Sequence, residues 1–478
     1  MARQISPNSS QYRHQVVIFG FYGALGTASL AFACSENTER VLSKTPEATT
    51  SAGTGAAAGG ASSTPAGGST PTPAGGTTSS TTGGTSTILT GPAMGALGNP
   101  IGYASIGTGG TSGGRTQPVI LVRTCAELES ALTTDNSLAV VAIEANKTLD
   151  CSDPNPAPNC AGAELDAGIA GCSITCKITC DSTTGDTTRP TFRPLDPSYA
   201  NCSALKGSNS SYTADTPMVP MANTVKKIYV NSNKTLLGLN AASTLKGANL
   251  YLNSETSNVV IQNLNFDQVN PAMIEAGDAI TIDGANHIWV DHCKFSNVSD
   301  GDIDVTNGTY VTYSWNHFYG INNYACAGKQ NSASTISGSG QSTVTLHHNY
   351  FNNTLGCSPK VTDTSKVHIF NNVWQSVAYY SIQAANQAQA TVQNNFFSDS
   401  KKPYYGSDSC LTKTPPCAIS ASGNQFDGIS TTETQDNAGS VTPLPYESTT
   451  YTLDDATKTG SKDSVTQYVG PTLTFSSP

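Results

Sequence analysis

Charge is scarce in this chain: Asp, Glu, Lys and Arg make up only 12% of its 478 residues, with 24 bases against 34 acids. Long surface helices draw on those residues and are disfavoured, whereas abundant Gly, Ser, Thr and Asn suit stacked β structure. Basic residues form no patch, so the footprint that phosphate backbones require is missing and nucleic acid is excluded as a partner. Also missing are a glycine-rich phosphate loop, since the glycines fall in a linker and in turns, and any triad pattern of Ser and Asp around the seven histidines. What is left is an acidic protein of formal net charge −10, or −12 without residues 1–33, which hold Arg3 and Arg13 and no acid.

Those first residues differ from the rest. Arg13 and His14 precede an apolar run from Val16 to Ala33 that ends Ala31-Phe32-Ala33-Cys34, the layout of an export signal. The run is only just long enough for a membrane span, the rival reading. Ala-x-Ala fits ordinary signal cleavage, and Cys34 after small residues fits lipid attachment, so the protein is expected to be secreted or lipid-anchored at Cys34 to the outer cell surface. Residues 34–97 form a Ser/Thr/Gly/Pro linker with nothing to build a core, and 98–478 are expected to be one folded domain. Thirteen cysteines, twelve without Cys34, agree with an oxidising compartment. Cys151, Cys160, Cys172, Cys176, Cys180 and Cys202 crowd one insertion, where the spacings and the lack of nearby histidine argue against zinc. Cys410 and Cys417 are spaced to close a short loop.

Aromatics are few, yet Phe266, Phe295, Phe318, Phe351, Trp374 and Phe397 recur, three of their intervals being 23 residues and the others 29 and 33. Two positions before them stand Asn316, Asn349, Asn372 and Asn395. Five before stand Ile261, Val290, Tyr313, Leu346, Ile369 and Val392, and seven before stand Val259, Ile288, Val311, Val344, Val367 and Ala390. A fixed period of this size marks a solenoid. Positions five and seven share one side of a strand and stack apolar on apolar from coil to coil, while the Asn column marks a turn where amides pair along the stack. The expected fold is all-β: a right-handed, single-stranded parallel β-helix. Val119 to Leu132, "VILVRTCAELESAL", reads as a strand and a short helix starting at Thr124 or Cys125, placed to cap the N-terminal end of the core.

Asp278 and Asp300 are 22 residues apart, about one coil, so stacking brings their carboxylates together. In "DGDID" the acids Asp300, Asp302 and Asp304 alternate, and an extended backbone would point all three one way. Carboxylates so close resist full ionisation unless a cation lies between them, and an all-oxygen set favours calcium.

The segments "GDAITIDGANHIWVDHCKFS", "VTYSWNHF" and "TLHHNYFNNT", with the tail "YTLDDA", resemble the pectate lyase and pectin lyase family of secreted polysaccharide lyases. The resemblance runs from about Gly98 to Val469. It implies calcium-dependent β-elimination of polygalacturonate by a monomer, with the metal acids on Asp278, Asp300 and Asp304. A further metal acid of some members falls on Ala276, next to Glu275. The family's pectin lyases put a basic residue where the metal would sit, so the retained aspartates point to the pectate branch.

Departures fall on the base. The family's R-x-P-R-x-R stretch reads Cys357-Ser358-Pro359-Lys360-Val361-Thr362, so the expected catalytic arginine is a cysteine and Lys360 is the surviving basic position. Lys360 is the candidate general base, with Cys357 as a thiol alternative unless it pairs with Cys326. The substrate-binding lysine aligns with Asn323, leaving Lys329 as its nearest substitute. Trp289, Asp291 and His292 are assigned to packing in the coil interior, and of His347 and His348 one is expected inward and one outward without a carboxylate partner. The rival functions are a β-helix that binds acidic polysaccharide without cleaving it, and a glycoside hydrolase, which needs acids arranged for attack by water.

Overall fold

The computed structural model describes residues 98–107, 109–114, 117–152, 226–271, 277–322, 330, 332–429, 440–446, 453–457 and 459–475, with short strands at 88–89, 192–194, 218–220 and 437–438. The export run, Cys34 and nearly all of the linker lie outside them, as does most of the cysteine-rich insertion.

Each coil contributes one strand to each of three sheets, of eight, twelve and nine strands. The coil that starts at Ile280 shows the order: Ile280–Asp283, Asn286–Asp291 and Lys294–Val298, then a bend into Ile303–Thr306 of the next coil. Every coil-to-coil ladder is parallel, making a right-handed parallel β-helix. Two edge pairings are antiparallel, Ile88–Leu89 on Val119–Val122 and Asn437–Ala438 on Ala418–Ser422.

The repeat columns are the registers of this stack. Val259, Ile288, Val311, Val344, Val367 and Ala390 are consecutive Cα partners, and so are Ile261, Val290, Tyr313, Leu346, Ile369 and Val392. All twelve are buried in one core, which turns the row of apolar side chains into the lumen. The aromatics stack face to face, with centroids 4.4 to 5.6 Å apart from Phe266 to Phe426. At the turn, the amide oxygen of Asn349 accepts from the backbone N–H of Asn316 at 3.0 Å, Asn372 serves Asn349 likewise, and the ladder continues through Asn395 to Asn424. Cys293, a buried free thiol, takes the position ahead of Asn316, so the twelve cysteines are not all paired. Just before the ladder, Asn263, His292, Trp315, His348, Asn371 and Asn394 have φ of +48° to +58°. Asn tolerates this left-handed conformation through its short polar side chain; His292, Trp315 and His348 instead stack on one another, at 5.9 and 4.4 Å.

The solenoid starts earlier than the regular repeat. Val119–Val122 pairs with Ala139–Ile143, which pairs with Lys234–Gly238 across the insertion. Between them helix Cys125–Thr133 opens with a capping box of Thr124 and Glu127. Its Leu128 and Leu132 are fully buried in the core, closing the end of the lumen as expected. Cys125 and Cys151 form a disulfide beside this cap, and Cys410 and Cys417 close their loop.

The C-terminal segment runs back along the outside. Tyr446 packs on Tyr103, Asp454 meets His348 and Asn371, and Phe475 joins Val119, Leu121 and Leu237 in a second apolar cluster. With the turn 102–106, whose Ala104 lies on Val260 and Trp289, it covers the outer face of the twelve-stranded sheet. Trp289 and His347 are therefore buried beneath these segments and not inside the coil.

Candidate functional site

The eight-stranded sheet keeps its outer face accessible. Alternation sends Ile280, Ile282, Ile303 and Val305 into the core and their neighbours outward. The register lines up one outward column, Tyr229, Tyr251, Thr281, Asp304, Thr335, Lys360, Gln383 and Tyr405, on consecutive strands about 4.8 Å apart.

At one point of this column three acids converge. Asp278, Asp300 and Asp304 each offer a carboxylate oxygen, and the three oxygens lie within 4.8 Å of one another. Asp278 precedes the strand Ile280–Asp283, while Asp300 lies in the bend before Ile303–Thr306. The Ile280–Ile303 register sets Asp278 opposite Gly301, one residue from Asp300, and the Gly301 amide donates to Asp278 Oδ1 at 3.1 Å. Thr281 Oγ1 donates to Asp278 Oδ2 at 2.7 Å, and the Thr335 amide to Asp304 Oδ1 at 2.7 Å. A Cβ at Gly301 would sit 2.2 Å from Asp304 Oδ1, so any larger residue there would push that carboxylate aside.

Burial pushes the Asp278 carboxyl up to about 6, against the pull of Thr281, the Gly301 amide and the Lys227 ammonium. Burial, then the charges of Asp278 and Asp300, raise Asp304 well above the usual carboxylate range. The three resist common ionisation without a compensating cation.

Asp302 does not join them. It is fully buried, and its Oδ1 accepts from Gln330 Nε2 at 2.6 Å. Residues 300–302 form a bend and the strand begins only at Ile303, so the alternation of an extended chain does not reach Asp302. Gln330 also donates to the carbonyls of Asp300 and Ser332, at 3.2 and 2.8 Å, and so fixes the bend that presents Asp300.

Lys360 stands two rungs from Asp304 in the same column, 7% exposed. Cys357 is fully buried and held in a disulfide whose partner lies outside the described residues, with Sγ 2.8 Å from the Tyr380 hydroxyl. A thiol base is therefore ruled out. Lys329, Asn323, Cys326, Glu275 and Ala276 also lie outside the described residues.

The histidines are held by packing and hydrogen bonds, but not where expected: His292 lies at the turn on Trp315, and neither His347 nor His348 is part of the lumen core. His292 Nδ1 bonds Asp291 at 2.7 Å, and Asp291 also accepts from Ser314 and Gln262. His347 and His348 bond one another at 3.0 Å, and His348 does find a carboxylate, Asp454 at 3.0 Å. That partner comes from the returning tail, which spacing within the repeat does not reveal. Sequence reading also missed Lys227, Thr281 and Gln330. Thr281, three residues after Asp278, carried the only local signal.

A family model described as pectate lyase matches residues 206–472. Probable pectin lyase D of Aspergillus niger is 26% identical over 380 residues, 73% of this chain and 90% of that protein. Probable pectin lyase A of Aspergillus fumigatus is 32% identical over 214 residues, 42% of this chain and 56% of that protein. A pectate lyase structure from Acidovorax avenae subsp. citrulli covers 80% of this chain and 96% of its own, with a TM-score of 0.54 and 19% identity. A pectate lyase from Bacillus sp. N165, in complex with trigalacturonate, covers 78% of this chain and 98% of its own, with a TM-score of 0.50 and 21% identity.

Proposed function

Because this chain belongs to the pectate lyase family of polysaccharide lyases, we propose that it is an exported lyase that cleaves polygalacturonate by calcium-dependent β-elimination. The observation that carries the reading is the convergence of Asp278, Asp300 and Asp304 within 4.8 Å. Calcium binds oxygen at about 2.3–2.6 Å, so ligands around one ion lie up to about 5 Å apart, and an all-carboxylate set suits this hard cation over zinc or copper. The raised Asp278 and Asp304 carboxyls fit the same assignment, since a cation is what would let all three ionise together. Held there, calcium would supply positive charge beside the substrate carboxylate, which would favour loss of the adjacent proton.

The chain's own residues divide the remaining work. Asp278, Asp300 and Asp304 would hold the ion, Thr281 and the amides of Gly301 and Thr335 orient them, and Gln330 fixes the bend. Lys360, two rungs away on the same face, takes the proton from the carbon that bears the carboxylate. The freed electron pair forms the double bond, and the glycosidic oxygen departs with a proton from solvent. The aspartate trio favours non-esterified substrate, although the relatives named above are pectin lyases.

The lost arginine and the bonded Cys357 favour one second reading, a β-helix that binds acidic polysaccharide without cutting it. Ultraviolet absorbance of the unsaturated product separates the two. Polygalacturonate with calcium should give product, chelator should abolish it, and methyl-esterified pectin should be a poorer substrate. Absence of product at every pH and calcium level, with binding retained, would establish the second reading.

A further inference from the structure

The outward column continues beyond Lys360 through Gln383 to Tyr405, four steps of about 4.8 Å, or about 19 Å, from Asp304. At that end the surface changes character. The Lys402 ammonium lies 4.8 Å from the Tyr405 ring centre and 5.3 Å from that of Tyr379, so one cation sits between two aromatic rings. Gln383 Nε2 donates to the Tyr405 hydroxyl at 2.6 Å, and Tyr380 packs edge-on against Tyr405 at 5.4 Å, which fixes the ring that the column presents. Gln383, Tyr405, Tyr379 and Lys402 all keep part of their surface exposed.

We propose that Tyr405, Tyr379 and Lys402 form a distal subsite for a uronate residue of a polymer whose cleaved bond lies at the acidic centre. The proposal rests on the functional reading above and adds the length of chain that the face engages. A pyranose ring offers axial C–H groups that pack on aromatic faces, and its carboxylate pairs with the ammonium; neither alone would select a charged sugar. A residue of an extended 1,4-linked chain advances by roughly one inter-strand step, so Tyr405 receives a residue about four units from the centre. The lane is continuous with the acidic centre and ends beside the cation Lys402. A polyanion laid on it would meet the acidic centre with its cation at one end and the Lys402 ammonium at the other.

The test compares hexagalacturonate, long enough to span both places, with trigalacturonate, which is not. Initial rates by product absorbance, and calorimetric affinities where there is no turnover, are measured with calcium for wild type, Lys402→Met and Tyr405→Ala. Each variant should raise KM or Kd for the hexamer about five- to tenfold and leave the trimer unchanged, the size of one partly exposed contact. Equal performance of wild type and variants on the hexamer overturns the distal subsite and leaves the lyase reading standing. Equal loss on both ligands also overturns it, since the residues would then act through the fold or the centre. If wild type neither binds nor cleaves either ligand, the functional reading fails and takes the subsite with it.

Discussion

Replacing Asn349 with leucine probes the turn ladder at an inner rung. The Asn349 side chain accepts from the backbone N–H and the side-chain amide of Asn316, at 3.0 and 3.1 Å, and donates to the Tyr313 carbonyl and Asn372 Oδ1, at 3.1 and 2.9 Å. Asn316 and Asn349 are fully buried and Asn372 nearly so, so water cannot replace the lost partners. Leucine keeps the branching and heavy-atom count of asparagine and leaves no cavity, while its bulkier methyl groups add some overpacking to the polar loss. Two donors of Asn316 lose an acceptor, and each buried group left unsatisfied costs about 1–3 kcal/mol, so the variant should lose about 2–6 kcal/mol. Urea unfolding followed by circular dichroism reads this as a lower midpoint at unchanged slope. A leucine variant that unfolds at the wild-type midpoint would falsify the view that the ladder satisfies otherwise stranded groups.

Three further outcomes are expected. Lys360→Ala should reduce turnover at least about a hundredfold, the lower end for a positioned base, with calcium affinity nearly unchanged; full activity would remove Lys360 from the role. Gly301→Ala should displace the Asp304 carboxylate, which a Cβ would approach to 2.2 Å, and weaken calcium binding at least about tenfold by calorimetry while the coil core stays folded; unchanged affinity would mean that Asp304 is not a ligand. Burial lowers His317 and His368 to about 4, with Lys294 adding to the effect at His317. Their folded values lie below an unfolded value near 6.5, so the unfolded chain binds more protons between about pH 6.5 and 4, and stability should fall across that window by on the order of 3 kcal/mol per histidine; a flat stability profile there would contradict the buried neutral assignment.

The repeat was legible because a lumen imposes its own pattern: only apolar side chains can occupy the inner positions, and they must recur once per coil. Val259 to Ala390 and the stacked aromatics therefore stood in the sequence as columns. The acid cluster was legible for the same reason, since an interval of about one coil means adjacency in space. Asp302 was misread because strand alternation was extended into a bend. Lys227 and Gln330 act from neighbouring coils, across turns whose lengths vary, and spacing carries no record of that register. Val119–Val122 was read as a strand, but its place as a rung, and the rung Ala139–Ile143, were hidden by the insertion that separates them from the next coil. Asp454 was hidden because it returns to His348 from 106 residues away.

The returning tail changes what kind of thermodynamic object the solenoid is. A stack of coils held only by nearest neighbours can fray from either end, because each terminal coil melts without consulting the others. Here Tyr446 reaches Thr345, Asp454 reaches His348, Leu473 reaches Asn263 and Phe475 reaches Leu239, so one segment clasps late coils and early coils in turn. Loosening either end then costs contacts at the other. A chain of weakly linked units closed in this way is expected to melt in a single cooperative step, with a partly unwound intermediate denied the independence it would need to accumulate.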